Sequence, residues 1–182
     1  MFGDSDFYLS EKLKLESFCA YQDRCIFDIK KKLKSSLLSE EKKEQLITEL
    51  IQDKFIDDER FALSFAQGKQ RIKKWGISKI KAGLKAKQIS TLLIDKALET
   101  IDKSVYLADL TLLIEKKKRL LSNEKESYKK EAKIIRYLLS KGYQLDDIFK
   151  PRQLASRIFY KMFGGTHRVN MAGLARTFQN IQ

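Results

Sequence analysis

Apolar residues recur along this chain at intervals of three and four, the period of an amphipathic helix, and short polar signals stand before most of the runs. Ser10 precedes Leu13, Leu15, Phe18 and Tyr21. Ser39-Glu-Glu opens a run with Leu46, Ile47, Leu50 and Ile51 on one stripe. From Asp58 the set Phe61, Phe65 and Ile72 shares a face with Gly68. Ser78 is placed to cap a short helix with Ile80 and Leu84 inward, and Ser90 to cap the next, Leu92 to Ile101. Ser104 begins a longer helix that ends in Lys116-Lys-Lys-Arg119, cations that suit a helix C-terminus. A further helix runs to Lys141, after which Gly142 suits the left-handed residue that closes many helices.

These helices repeat. Ile29-x-x-x-Leu33, Ile80-x-x-x-Leu84 and Ile134-x-x-x-Leu138 align at steps of 51 and 54 residues, each pair in the second helix of a three-helix group. Lys87-Gln88-Ile89 and Lys141-Gly142-Tyr143 then form the same short exit. Units of this size bury their apolar faces partly on neighbours, which predicts an elongated array; the competing reading is a non-repetitive bundle. The chain divides into a lead at 1–10, repeats at 11–57, 58–103 and 104–150, and a tail at 151–182.

Composition supports helices: 24 Leu and 17 Ile stand against only 2 Val, with a single Pro at 151. The expected fold class is all-α. Cys19, Cys25 and His167 do not make a zinc site or a disulfide framework, so no metal and no cofactor are expected. No apolar run approaches the length of a membrane span, since Asp109 interrupts Val105 to Ile114. The acidic start MFGDSDFYLS lacks the basic region of a signal peptide. We expect a cytoplasmic protein without a membrane partner.

Charge changes the picture most. The net charge is +13, and between Glu59 and Asp95 no acid occurs. That segment carries Arg60, Lys69, Arg71, Lys73, Lys74, Lys79, Lys81, Lys85 and Lys87, with Trp75, the only Trp, among them. A merely solvated face normally intersperses both signs. The segment is therefore expected to bind a polyanion or an acidic partner, engaging about six phosphates if that partner is DNA; a bland Lys-rich face is the alternative. The tail from Pro151 has no Asp or Glu and four of the nine Arg, and it breaks at Gly164-Gly165. Composition leaves its role open.

Catalytic patterns are missing. One His leaves no Ser-His or Cys-His pair, and Gly164-Gly-Thr-His lacks the Lys and spacing of a phosphate-binding loop. Asp57-Asp58-Glu59 is the densest acidic cluster before a helix, but three consecutive residues do not face one metal. Asp58 is read more simply as the cap of a helix beginning at Glu59. The expected protein is not an enzyme, with a metal nuclease as the minor alternative.

At Asp57-Asp58-Glu59-Arg60-Phe61-Ala62 the sequence resembles the RecX family of recombination regulators. The resemblance continues through Gly76-Ile-Ser-Lys-Ile80-Lys-Ala-Gly-Leu84-Lys-Ala-Lys87-Gln-Ile89-Ser90 and, earlier, Arg24-Cys25-x-x-Asp28-Ile29-x-x-x-Leu33. It covers roughly residues 11 to 150. Gln88 stands where the family usually has Gly and Cys25 where it often has Ser, and the tail after Phe149 matches no family pattern. The resemblance implies an elongated curved array of three tandem three-helix repeats, in which Asp57, Asp58, Arg60, Phe61, Gly76, Ile80 and Leu84 are structural. It also implies a partner: the RecA recombinase filament, whose ATPase and strand exchange such proteins inhibit, with single- or double-stranded DNA bound through phosphate contacts. The expected state is a monomer. A sequence-tolerant DNA-binding helical protein acting without RecA is the other reading, and the 78–87 helix offers it Lys, Ala and Gly rather than base-reading Arg, Asn or Gln.

Overall fold

The computed structural model describes residues 4–149, and among these the regular structure is entirely helical. Helices α1 (Asp4–Tyr21), α2 (Ile26–Leu33) and α3 (Glu40–Gln52) form the first unit. The second holds α4 (Asp58–Lys73), α5 (Ile77–Ala86) and α6 (Thr91–Glu99). The third holds α7 (Lys103–Leu120), α8 (Ser127–Lys141) and the short α9 (Leu145–Phe149). The all-α array of three-helix units expected from the sequence is the fold. Pro151, Gly164, Gly165 and His167 lie outside the described residues.

Two of the expected starts hold as written. Ser39 and Ser90 accept hydrogen bonds from the amides of Lys42 and Leu93, which leaves fewer free N–H groups at the starts of α3 and α6. Three differ. α1 already runs at Asp4, so Ser10 lies inside it. α5 starts at Ile77 after Gly76, and Ser78 is in its first turn. Asp102 caps α7, accepting from Ser104 N at 2.7 Å, because a carboxylate there reaches two amides and the Ser104 hydroxyl together.

The repeated exits have a structural cause. Gln88 (φ 58°) and Gly142 (φ 91°) are left-handed, and the amides of Ile89 and Tyr143 reach back to the carbonyls of Leu84 and Leu138 at 3.2 and 3.1 Å. That turn folds Ile89 onto Leu84 and Tyr143 onto Leu138, and all four are buried. α2 ends differently, with Lys34 right-handed, so the first unit lacks the exit that the other two share.

Ile29, Leu33, Ile80, Leu84, Ile134 and Leu138 are all buried, so the repeated pair is the inner seam of each second helix. The first unit has its own core around Leu15, Ile29, Leu46 and Leu50. The second and third share one, running from Ala62, Ile80 and Leu84 to Leu110, Leu138 and Tyr143. Each buried aliphatic side chain contributes about 1.5–3 kcal/mol. Some stripe positions do not face in. Leu13, Tyr21 and Ile51 are exposed, because Tyr8 and Lys12 bind Glu49 and set α1 with Leu15 and Cys19 inward. Ile72 is 76% exposed: α4 buries Ala62, Ala66 and Gln70, small side chains or an amide, against α6 and α7.

The second helices meet end to end. The amides of Gly76 and Ser78, at the start of α5, donate to Lys141 O (2.8 Å) and Gly142 O (3.1 Å) at the end of α8. A Cβ on Gly76 would lie 2.2 Å from the Gly142 carbonyl, so only glycine admits this approach. At the corresponding place one unit earlier, the start of α2 meets the end of α5. Cys25 Sγ faces Lys87 O at 4.0 Å, and Lys87 Nζ pairs with Asp28. The chain of second helices therefore runs opposite to the sequence order of the units.

Candidate binding interface

The nine cations of the acid-free segment divide into two groups. Five are tied to the fold. Arg60 donates to Asp23 at 3.1 Å and to the carbonyls of Lys54 and Phe55, reaching across to the first unit. Lys87 pairs with Asp28 of the first unit and lies over the Phe27 ring. Lys74 pairs with Asp109 of the third unit at 2.7 Å. Lys79 donates to Ser140 O at 2.9 Å, and Lys81 pairs with Asp95 inside the middle unit at 3.0 Å.

Arg71, Lys73 and Lys85 are exposed and have no ion-pair partner among the described residues. Lys69 has none either; its ammonium lies over the rings of Phe65 (5.1 Å) and Trp75 (5.4 Å). Lys79 also approaches this cluster, 5.0 Å from the Trp75 ring. Phe61, Phe65 and Trp75 pack in series with centroid spacings of 5.7 and 6.4 Å, the first pair tilted and the second edge-on, and Gly83 leaves room for the Phe65 ring. Cations held over aromatic faces gain about 0.5–1 kcal/mol at exposed sites and remain free to meet an anion.

The acidic motif before α4 is divided in a way the sequence did not reveal. Asp57, not Asp58, caps α4, accepting from Arg60 N at 2.9 Å. Asp58 turns away and accepts from Ile26 N at 2.9 Å, closing the open start of α2 in the first unit. Burial pushes the Asp58 carboxyl up from its ordinary range, against the lowering effect of the Ile26 N–H. Phe61, Ile80 and Leu84 are core residues, and Gly76 is the contact with Gly142. Burial likewise pushes the Cys25 thiol up to about 11, so it is not poised as a nucleophile.

Sequence reading also missed Asp109, which is 6% exposed and sits between Gln70 Nε2 (2.8 Å) and Lys74. Its interruption of an apolar run was the available signal. Among the described residues no group of three or more His, Cys, Asp or Glu could hold a metal ion, and no helix is long and apolar enough to cross a membrane.

Family models match two parts of the chain: the second three-helix domain of RecX over residues 57–98 and the third over 105–150. Regulatory protein RecX of Clostridium tetani is 39% identical over 106 residues, 58% of this chain and 48% of that protein. Regulatory protein RecX of Bacillus mycoides is 28% identical over 137 residues, 75% of this chain and 50% of that protein. The chain thus spans about half the length of the curated relatives it matches. The crystal structure of RecX from Lactobacillus salivarius superposes with a TM-score of 0.72 at 25% identity, covering 85% of this chain and 99% of that one. A second crystal structure, of regulatory protein RecX, gives 0.74 at 26% identity, covering 82% and 74%.

Proposed function

This chain belongs to the RecX family, and we propose that it is a non-enzymatic regulator of the RecA recombinase. It binds the RecA–DNA filament, lowers ATP hydrolysis and strand exchange, and so modulates recombination and the SOS response. In this reading it acts in the cytoplasm as a monomer. The observation that carries the proposal is the unneutralised charge of the middle unit: Lys69, Arg71, Lys73 and Lys85, in a stretch without an acid. A filament presents phosphate and acidic protein surface repeatedly, so several weak contacts add.

Four free cations imply fewer phosphate contacts than the six expected from charge alone. On single-stranded DNA the slope of log affinity against log salt is then near −3. The deciding experiment is RecA ATPase on single-stranded DNA with the protein titrated in. Changing Lys69, Arg71, Lys73 and Lys85 to Glu should lower the melting temperature by only a few degrees, through the lost ring contacts of Lys69 and the helix-end charges, and remove most of the inhibition. Lys116, Lys117 and Lys118 changed to Glu should do less. A parent protein without effect on RecA would refute the proposal. If that parent still bound DNA with the expected salt slope, the reading of a DNA-binding protein acting without RecA would replace it.

A further inference from the structure

Ile72 should not be in solvent on the simplest reading of its helix. It continues the line of Phe61 and Phe65, yet α4 rotates its buried side toward Ala62 and Ala66. The displaced line forms a groove of about 290 Å³ between α4 and the α1–α2 turn. Phe61, Phe65, Gly68 and Ile72 are among the residues that line it. At Gly68 nothing lies within 4 Å of where a Cβ would stand, so the groove is open there. Lys69 and Lys73 stand along one wall; Gln22 and Asp23 stand on the other, and Asp23 is held by Arg60.

An apolar depression edged by unpaired lysines suits a ligand with both an apolar side chain and negative charge. Nucleic acid supplies the charge, but its phosphates need no cavity. We infer that this groove docks an acidic peptide segment bearing an aliphatic or aromatic anchor, which seats on Gly68 and Ile72 while its carboxylates meet Lys69 and Lys73. The inference rests on the filament reading for the partner's identity, the segment being one of the recombinase, but not for the chemistry of the groove. On DNA alone all four cations remain open to phosphate; on a filament Lys69 and Lys73 turn to the peptide and leave the phosphates to Arg71 and Lys85.

The test uses the full chain and three fluorescent probes: a peptide alternating Asp or Glu with Leu or Phe, the same peptide with Ser at the apolar positions, and oligothymidine. The apolar peptide should bind at least tenfold more tightly than the Ser peptide. Gly68→Leu adds bulk at a place where a Cβ meets nothing within 4 Å, and it should weaken the apolar peptide at least tenfold and oligothymidine less than twofold. Ile72→Ser, at an exposed position, should act in the same direction. Equal binding of the two peptides by the parent would overturn the inference, as would peptide binding unaffected by both variants. An equal loss of oligothymidine would assign the groove to nucleic acid instead. RecA filaments supply the separate arm. If the parent binds filaments and Gly68→Leu binds them equally well, the groove is not the contact. If the peptide results hold while no filament binds, the groove stands and the filament reading falls.

Discussion

The two places where neighbouring units join are made of different materials. Between the second and third, Gly76 and Gly142 bring backbone against backbone, the residues around them belong to one continuous core, and the Lys74–Asp109 pair is added to it. Between the first and second, the contact relies on side-chain charge: Arg60 with Asp23, Lys87 with Asp28, and Asp58 on the amide of Ile26. Cys25 is the first-unit residue fully buried in the shared core, with Phe27 packed partly against it. Buried carbon and short backbone bonds respond little to ionic strength, whereas partly exposed ion pairs are screened by salt and contribute about 0–1 kcal/mol each. The second and third units should behave as one body. The first is attached more adjustably, beside the groove that its own α1–α2 turn helps to form.

The strongest way to break this comparison is Gly76→Ala. The new methyl group would overlap the Gly142 carbonyl, and we expect a loss of about 3 kcal/mol, at the upper end for overpacking. Gly68→Ala, in open space within α4, should instead gain up to about 1 kcal/mol. Urea denaturation of the two variants would show whether glycine matters for contact at one site and not at the other; similar shifts would contradict the close approach.

Asp58→Ala should cost about 1–2 kcal/mol by leaving the Ile26 amide without its partner, and the added exposure to hydrogen exchange should fall on α2, not α4. Asp57→Ala should cost about 1 kcal/mol and expose α4 instead. The pH dependence has a definite sign. Because the folded-state pKa of Asp58 is raised, the fold holds its proton more tightly than the unfolded chain does. Its contribution is therefore complete below the unfolded value and is lost as pH rises through the folded one. Asp58→Asn should make stability less dependent on pH in that window. An unchanged profile would mean that the carboxyl is better solvated than its position indicates.

Salt sharpens the contrast with a smaller effect. Raising ionic strength from low to about 0.5 M should speed hydrogen exchange at Ile26 to Asp28 severalfold and leave Gly76 to Ile80 nearly unchanged. Parallel responses at both places would remove the distinction. The smallest expected change is Gln88→Gly. Gln88 is exposed and left-handed, a conformation that costs a side-chain-bearing residue about 1 kcal/mol, so glycine should raise the melting temperature by a few degrees. A lower one would mean that the Gln88 side chain makes a stabilising contact.

What could be read from the sequence was what neighbours along the chain decide. Leu84 with Ile89 and Leu138 with Tyr143 repeat at fixed spacing because one turn type joins each pair, and the units followed from that. The acid-free segment was equally visible, but its free charge was not. The acids that neutralise Arg60, Lys74 and Lys87 are Asp23, Asp109 and Asp28, all outside the segment and reached only after folding. Asp57 and Asp58 look interchangeable beside a helix start; the amide that separates their roles is 32 residues away. The stripe through Ile72 went astray because Ala62 and Ala66 weigh little in a hydrophobic pattern, although small side chains are what let α4 pack closely.

The reversed chain of second helices has a consequence for how the protein is made. A ribosome releases α2 before α5 and α5 before α8, yet the start of α5 finds its backbone partners only at the end of α8, and the start of α2 meets the end of α5. The first and second units are thus each synthesised before the surface that completes their central helix. The nascent array gains rigidity retroactively, and a ribosome that pauses within the third unit holds a second unit whose Gly76 and Ser78 amides are still bound to water.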